Sequence, residues 1–223
     1  MRASGAPRMR PMRPPARKVV TGRRTGALTG YHPSRKMGAS VPFESLLELD
    51  ALVLLEVDWK VVQFATQPVT FQWRDAGRAR RYTPDLLVVT ALSRTFREVK
   101  PARRLARDPT LRGRRERIEA ECAALGADFE VWTDKDIKRE PRLSNSRAVL
   151  SEGRRVGDAW AEQRVRAVLP HCATVGEAAW AGGLPPVRAL RAAMRLAARG
   201  EVGLDLDLAL GASTRILAGG ASR

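Results

Sequence analysis

The chain has 223 residues, and its 40 Lys and Arg residues against 24 Asp and Glu residues give a formal net charge of +16. A positive surplus of this size argues against a generic metabolic enzyme and indicates a polyanionic partner, either nucleic acid or an anionic membrane surface. Because 44% of the residues are hydrophobic, the chain can bury a core and is not a basic disordered tail.

The same inventory disfavours several other classes of protein. Two cysteines are too few for a disulfide framework, and with only two histidines they cannot build a zinc finger. The N terminus lacks the apolar stretch of a signal peptide, and no apolar run approaches the roughly 18–20 residues that a membrane span needs. We therefore expect a cytoplasmic protein without a membrane partner.

The beginning of the chain is predicted to be a flexible basic arm over residues 1–40. Ten Lys and Arg residues lie in 1–36, and the first acidic residue is Glu44. Prolines and glycines interrupt this stretch, which shows no apolar periodicity. Such an arm can contact DNA phosphates without folding, or it can serve only to keep the protein soluble.

Residues 41–138 are predicted to form a mixed α/β domain. Apolar residues at helical spacing predict a first helix over 43–56, with Glu44 and Glu48 on one of its faces. A meander of short strands, a basic helix and a further strand follow. These later elements are predicted at 60–66, 69–73, 80–90, 95–100, 109–125 and 128–132, with a short turn or helix at 134–137.

The rest of the chain is predicted to be a linker over 139–157 and a small helical domain over 158–223. Three helices precede a hairpin in this domain, which is the order of elements in a winged helix. The alternative is a helical domain of another kind. The three helices are predicted at 158–169, 174–180 and 186–199.

Arginines on the last of these helices lie three or four residues apart, so they can form one stripe that faces a DNA groove or a protein partner. The alternative is that they are only solvated. The stripe consists of Arg188, Arg191, Arg195 and Arg199.

Two neighbouring strands carry the residues with the clearest chemistry. A hairpin with a four-residue loop at 91–94 would place Asp85 opposite Lys100 and diagonal to Glu98. Burying two carboxylates and a lysine is costly, and a hard cation such as Mg²⁺ would offset the cost. The metal could then polarise a phosphodiester, while Lys100 positions water or stabilises the developing charge. Alternatively, Asp85 caps a turn, and Glu98 and Lys100 are exposed strand charges.

The choice of lysine at position 100 carries some weight, because only six of the 40 basic residues are lysines. The pKa of a lysine can be depressed by its surroundings and its ammonium is a compact donor, whereas an arginine stays charged. We therefore expect lysine chemistry at this position.

Together these features resemble the PD-(D/E)xK nucleases and, more narrowly, the TnsA family, the endonuclease subunit of heteromeric cut-and-paste bacterial transposases. The resemblance covers about residues 43–138 and implies a restriction-endonuclease-like mixed-sheet core. It rests on Glu44-Ser45-Leu46-Leu47-Glu48, Leu54-Leu55-Glu56, Val61, Gln67-Pro68, Tyr82-Thr83-Pro84-Asp85, Glu98-Val99-Lys100-Pro101 and Trp132-Thr133-Asp134-Lys135-Asp136-Ile137.

The resemblance also implies a metal site, in which Lys100 is catalytic and Mg²⁺, or Mn²⁺ in its place, is bound. Glu44 and Glu48 would exchange roles if the helix register differs by one turn. Some family members carry Gln where Glu98 stands, and an acid there should hold metal at least as well. The implied ligands are Glu48, Asp85, Glu98 and the carbonyl of Val99.

Arginines around this hairpin are expected to bind the DNA backbone, which positions DNA without reading its sequence. Without a nuclease site beside them they would simply form a solvated face. The residues in question are Arg80, Arg81, Arg103, Arg104 and Arg107.

Our first hypothesis is a metal-dependent endonuclease that cuts double-stranded DNA at transposon 5′ ends. The resemblance implies a TnsB-like DDE transposase that joins the 3′ ends and a TnsC-like AAA+ ATPase that regulates the complex. One alternative is a stand-alone PD-(D/E)xK nuclease for DNA repair or phage defence. Another is a non-catalytic winged-helix protein that serves as a DNA-binding scaffold.

Overall fold

The computed structural model describes residues 28–217, which form mainly strands up to residue 99 and mainly helices from residue 102 onward. The strands are β1 (Gly30–Ser34), β2 (Ala39–Phe43), β3 (Val61–Thr66), β4 (Phe71–Asp75), β5 (Arg78–Tyr82), β6 (Leu86–Thr90), β7 (Arg94–Val99), β8 (Asp128–Trp132), β9 (Gly203–Leu204) and β10 (Ile216–Leu217). The helices are α1 (Leu46–Val57), α2 (Ala102–Leu105), α3 (Pro109–Ala124), α4 (Asp134–Ile137), α5 (Arg142–Gly153), α6 (Ala159–Val168), α7 (Val175–Gly182) and α8 (Pro186–Ala198).

A four-stranded mixed sheet lies between two helical layers. Its order is β3-β6-β7-β8, with β7 and β8 parallel and the other neighbours antiparallel. Alternate residues of β6 point to opposite faces, so that Leu86 and Val88 pack with α1 while Leu87 packs with α3. A strand covered on both faces needs a continuous apolar run. The predicted mixed α/β core is thereby confirmed.

The loop of the central hairpin is shorter than predicted. The backbone N–H of Thr90 donates to the carbonyl of Ser93 at 2.9 Å, and the Thr90 hydroxyl accepts from the N–H of Ser93 at 2.9 Å. The strands therefore pair Leu86 with Arg97, two residues away from the predicted register. An even shift leaves every side chain on its predicted face, but it changes which residues lie opposite one another.

The first hairpin replaces part of the predicted flexible arm. Strands β1 and β2 pair antiparallel and bring Val41 and Phe43 into the core beside α1. The prediction of a flexible arm is therefore wrong for residues 30–40. Its earlier part, residues 1–27, lies outside the described residues.

A buried glutamate on α1 anchors this hairpin. Glu56 is only 4% exposed, and its carboxylate accepts from the Ser34 hydroxyl at 2.6 Å and from the Arg35 backbone N–H at 2.9 Å. A buried carboxylate requires such donors. Local composition could not predict the hairpin, because the acceptor that holds it lies about twenty residues further along the chain.

Helix α5 occupies most of the segment predicted as a linker, residues 139–157. The prediction of an irregular segment is wrong, because Leu143 and Val149 lie buried on one face of α5. That face packs between α1 and α8. Its apolar residues are few and are separated by polar ones, so the helical period is weak in the sequence.

The C-terminal elements follow the predicted order. Helices α6, α7 and α8 precede the short antiparallel pair β9–β10, and Thr174 forms an isolated bridge with Arg215. A winged helix remains a prediction for this part of the chain. Among the helices of residues 28–217, none has the length and apolar character that spanning a membrane requires.

The contact between α5 and α8 gives a stability test. A Cβ atom added to Gly153 would lie 2.4 Å from the Cβ of Ala198, so we expect Gly153→Ala to lower the free energy of unfolding by about 1–3 kcal/mol. Gly113 within α3 has open space around it, and Gly113→Ala should raise that free energy by about 0.5–1 kcal/mol. Urea unfolding of both variants measures the difference, and equal effects would contradict the close α5–α8 packing.

Candidate active site

Two carboxylates lie opposite each other at the end of the β6–β7 hairpin. The observed register, continued by one residue, places Asp85 opposite Glu98 rather than opposite Lys100 as predicted. The tighter loop at Thr90 causes this difference. Asp85 is held in place because its carboxylate accepts from the Val99 N–H at 2.7 Å and its carbonyl accepts from the Gln67 N–H at 2.8 Å.

The surroundings of Asp85 disfavour the ionised form of its carboxyl group. Burial, followed by the negative charges of Glu98 and then Glu48, raises the pKa of Asp85 well above its ordinary value. The charge of Glu48 on α1 therefore acts on Asp85, and a place for Glu48 in a metal site stays a prediction. The hydrogen bond from Val99 and the charge of Lys100 act in the opposite direction without cancelling the effect.

Glu98 is supported by a tyrosine. The Tyr82 hydroxyl donates to Glu98 Oε2 at 2.7 Å, and the Lys100 ammonium lies 3.6 Å from Oε1. Burial raises the pKa of Glu98, although the bonds from Tyr82 and Lys100 oppose the rise. Sequence reasoning assigned no role to Tyr82. The sequence signal for such a role was the position of Tyr82 in the Tyr-Thr-Pro-Asp motif, just before Asp85.

Lys100 is bound by a second acid that the sequence analysis did not single out. The Lys100 ammonium lies 2.5 Å from Asp108 Oδ2, while Asp108 Oδ1 accepts from the Leu111 N–H at 2.9 Å and caps α3. Burial works to lower the pKa of Lys100, but the bonds and charges of Asp108 and Glu98 outweigh it and leave the pKa raised. Of the two properties that distinguish a lysine here, a pKa that can be depressed and a compact ammonium donor, the structure favours the charged donor.

Glu48 lies in the first turn of α1. Its carboxylate accepts from the Glu44 backbone N–H at 2.8 Å and from the Ser45 hydroxyl at 2.9 Å, while Ser45 caps the helix. These bonds turn the carboxylate towards its own helix. Within the described range, no three acidic, histidine or cysteine side chains stand close enough together to hold a metal ion as they are.

The set of donors nevertheless suits a divalent cation. Carboxylate oxygens are the ligands that Mg²⁺ prefers, and a nearby cation would favour the charged forms of Asp85 and Glu98, whose pKa values are raised mainly by burial. Glu98 and Glu48 thus both act on the charge of Asp85. The three side chains are nevertheless not grouped closely enough to surround a metal ion in this structure.

A basic cavity adjoins the lysine. It has a volume of about 550 Å³, and it is lined by Lys100, Asp108 and three of the arginines that were predicted to bind DNA. These arginines lie on α2 and in the turn that follows it, and their contact with DNA phosphates stays a prediction. They are Arg103, Arg104 and Arg107.

The two arginines before the Tyr-Thr-Pro-Asp motif lie on β5. Arg80 forms an ion pair with Asp75 across the β4–β5 hairpin at 3.3 Å, and Arg81 lies opposite Gln72. This hairpin leads directly to Tyr82. Contact of Arg80 and Arg81 with DNA stays a prediction.

The predicted arginine stripe on α8 is divided between surface and interior. Arg195 is only 5% exposed and pairs with Glu152 and with Glu162, the latter at 2.8 Å. It cannot face a DNA groove in this structure, so that prediction is wrong. The tertiary partners explain the difference, because both glutamates lie on other helices. Arg188 pairs with Asp158 at 2.6 Å.

The remaining two arginines of the stripe have different surroundings. Arg199 pairs with Glu162 at 2.5 Å and with Glu201 at 2.7 Å. Arg191 lies 3.9 Å from Glu152, and about half of its side chain is exposed. A DNA or protein contact therefore remains a prediction for Arg188 and Arg191.

A family model described as TnsA-like endonuclease N terminal matches residues 58–134. No match was found among curated proteins. The matched stretch includes Asp85, Glu98, Lys100 and Asp108, whereas Glu48 precedes it. Over residues 58–134 the chain is therefore similar to the N-terminal domain of TnsA-like endonucleases.

The raised pKa of Asp85 gives a second stability test. Asp85→Asn keeps an acceptor for the Val99 N–H and removes a buried charge beside Glu98, so we expect the metal-free variant to be more stable at pH 8, by on the order of 1 kcal/mol. The gain should shrink as pH falls through the raised folded-state pKa, because the wild-type carboxyl then takes up a proton.

Urea unfolding at several pH values measures this difference. The matched control is Asp128→Asn, which changes an exposed aspartate on β8 and should alter stability by less than about 0.5 kcal/mol. A variant at position 85 that is less stable than the wild type at pH 8 would contradict the predicted charge repulsion.

Proposed function

We propose that the protein is a metal-dependent DNA endonuclease of the TnsA type that hydrolyses phosphodiesters at the 5′ ends of a transposon. The observation that carries the proposal is the placement of Asp85, Glu98 and Lys100 at one end of a hairpin, within the TnsA-like endonuclease match. A cavity lined by three arginines lies directly beside Lys100. Acids for a metal, a donor for the reacting phosphate and cations for its neighbours are thus close together.

The residues for the metal are Asp85 and Glu98, with Glu48 contributing from the first turn of α1 and the Val99 carbonyl assisting. Mg²⁺ is the proposed cofactor, and Mn²⁺ would substitute. Bound there, the ion would act as a Lewis acid on the phosphodiester and would lower the pKa of a coordinated water. The raised pKa values of the two hairpin acids support this assignment, because a cation offsets the cost of their charges.

The side chains around the acids have separate roles. Lys100 stays protonated and donates to the negative charge that develops on the phosphate. Tyr82 holds Glu98 by its hydroxyl, and the Val99 N–H holds Asp85. Such fixed bonds keep both carboxylates in place before substrate arrives, which limits the reorganisation needed during reaction.

The proposed substrate is double-stranded DNA, which the arginines of the cavity would hold by its phosphates. Cutting the 5′ ends leaves the 3′ ends to another enzyme, so we propose a TnsB-like DDE transposase and a TnsC-like AAA+ ATPase as partners in the cytoplasm. Helices α6 to α8 with β9 and β10 would form a winged helix that presents Arg188 and Arg191 to DNA or to one of these proteins.

Cleavage with defined partners tests the proposal. We expect nicking of duplex DNA with transposon ends that requires Mg²⁺ or Mn²⁺. It is measured on labelled strands in the presence of the proposed TnsB-like transposase and TnsC-like ATPase. Asp85→Ala and Lys100→Ala should each lower the cleavage rate by about 100-fold or more. The exposed control variants Asp128→Ala and Lys138→Ala should cleave at the wild-type rate.

The outcomes separate the competing functions. Equal cleavage by wild type, Asp85→Ala and Lys100→Ala would contradict the nuclease assignment and favour the alternative of a DNA-binding scaffold. Metal-dependent cleavage that needs neither partner protein nor transposon ends would instead indicate a stand-alone nuclease of repair or phage defence.

The basic cavity gives a separate prediction about binding. Changing all three cavity arginines to Gln should weaken binding to duplexes of any sequence and reduce the slope of log K against log salt by about 2–3, because each phosphate contact contributes about 0.9. The control changes three exposed arginines that pair with acids elsewhere, and it removes the same charge. The first set is Arg103, Arg104 and Arg107, and the control set is Arg139, Arg155 and Arg166.

Fluorescence anisotropy with labelled duplexes at several salt concentrations measures both slopes. Equal slopes for the two triple variants would show that only net charge matters and would remove the cavity from the proposed DNA contact.

A further inference from the structure

We infer that Asp108 is a positioning residue for the catalytic lysine, an inference that rests on the proposed nuclease function. Its two carboxylate oxygens make two different bonds. Oδ2 accepts from the Lys100 ammonium at 2.5 Å, and Oδ1 accepts from the Leu111 N–H at 2.9 Å in the first turn of α3. One side chain thus ties the lysine to the beginning of the sixteen-residue helix α3.

The geometry of Lys100 makes such a support necessary. A lysine has a long, flexible side chain with large rotamer entropy, and its other acidic contact within the site, Glu98 Oε1, lies at 3.6 Å. Glu98 is itself a proposed metal ligand, so its charge would be shared with the cation. Asp108 is not among the proposed ligands and can hold the ammonium throughout the reaction.

The location of Asp108 also directs the lysine. Asp108 and Lys100 both line the cavity that contains Arg103, Arg104 and Arg107. The ammonium is therefore held beside the place where DNA phosphates would lie. Since α3 packs against the sheet through Leu111, Ile118 and Cys122, its first turn is a rigid point of attachment.

Substitutions at position 108 can separate the cap from the lysine contact. Asn and Ser are as effective as Asp at capping a helix, so Asp108→Asn and Asp108→Ser retain a bond to the Leu111 N–H. Neither provides a carboxylate for Lys100, since the Asn amide would present a donor and the Ser hydroxyl is too short. Asp108→Ala removes both contacts.

The contact itself can be observed without cleavage. The chain has six lysines, so ¹⁵N-lysine labelling gives at most six side-chain ammonium signals, and Lys100→Arg identifies the one that belongs to Lys100. We expect this signal to be protected from solvent exchange in the wild type and to be lost or shifted in Asp108→Asn and Asp108→Ser. An unchanged Lys100 signal in both variants would overturn the inference.

The effect on reaction is measured by single-turnover cleavage with saturating DNA, together with the dissociation constant for DNA. A positioning role predicts that Asn, Ser and Ala at position 108 all lower the cleavage rate, by about 10- to 100-fold, with DNA affinity changed little. A role in capping alone predicts normal rates for Asn and Ser and a loss for Ala. Asp136→Asn, which alters an acid in the first turn of α4, should match the wild type.

The two proposals can fail separately. Equal rates for the wild type, Asp108→Asn and Asp108→Ser would overturn only the positioning role. Absence of metal-dependent cleavage by the wild type in the same assay would overturn the nuclease assignment, and the positioning role with it.

Discussion

The proximity of two like charges, Asp85 and Glu98, is the constraint on which the rest of the site depends. Both acids are removed from most of the solvent at the end of one hairpin. This burial, and after it the negative charge of Glu98, raises the pKa of Asp85. An arrangement of this kind persists only when surrounding groups hold it. Val99 and Tyr82 supply hydrogen bonds, Lys100 supplies positive charge, and a divalent cation would supply more.

The layered fold brings the supporting groups to this place. Helix α1 covers one face of the sheet and carries Glu48, while α3 covers the other face and is capped by Asp108. The hairpin between them contributes Asp85 and Glu98. Groups from both layers can therefore act at one end of the two central strands, β6 and β7, although they lie far apart in the chain.

The large positive charge has more than one use. In the C-terminal part, Arg195 lies buried between acids of α5 and α6, and Arg147 on α5 pairs with buried Asp50 on α1 at 2.5 Å. These arginines join helices to one another. A buried charge must be paired, so part of the basic surplus stabilises the tertiary structure. Arg103, Arg104 and Arg107, which line the cavity beside Lys100, are the arginines that we propose bind phosphate.

The sequence by itself determined most of the elements between residues 43 and 138 and the faces of the central strands, because the alternation of apolar residues is local and survives an even change of register. It did not determine the β1–β2 hairpin or α5. The sequence also predicted that Asp85, Glu98 and Lys100 lie together at one hairpin. Tertiary structure decided what each charge touches. The side-chain bonds of Thr90 set the loop, which moved Glu98 opposite Asp85, and the start of α3 gave Lys100 its partner. These contacts join residues that lie far apart in the chain, so no local sequence pattern predicts them. The contacts of the buried glutamates Glu56 with β1 and Glu162 with Arg195 could not be predicted for the same reason.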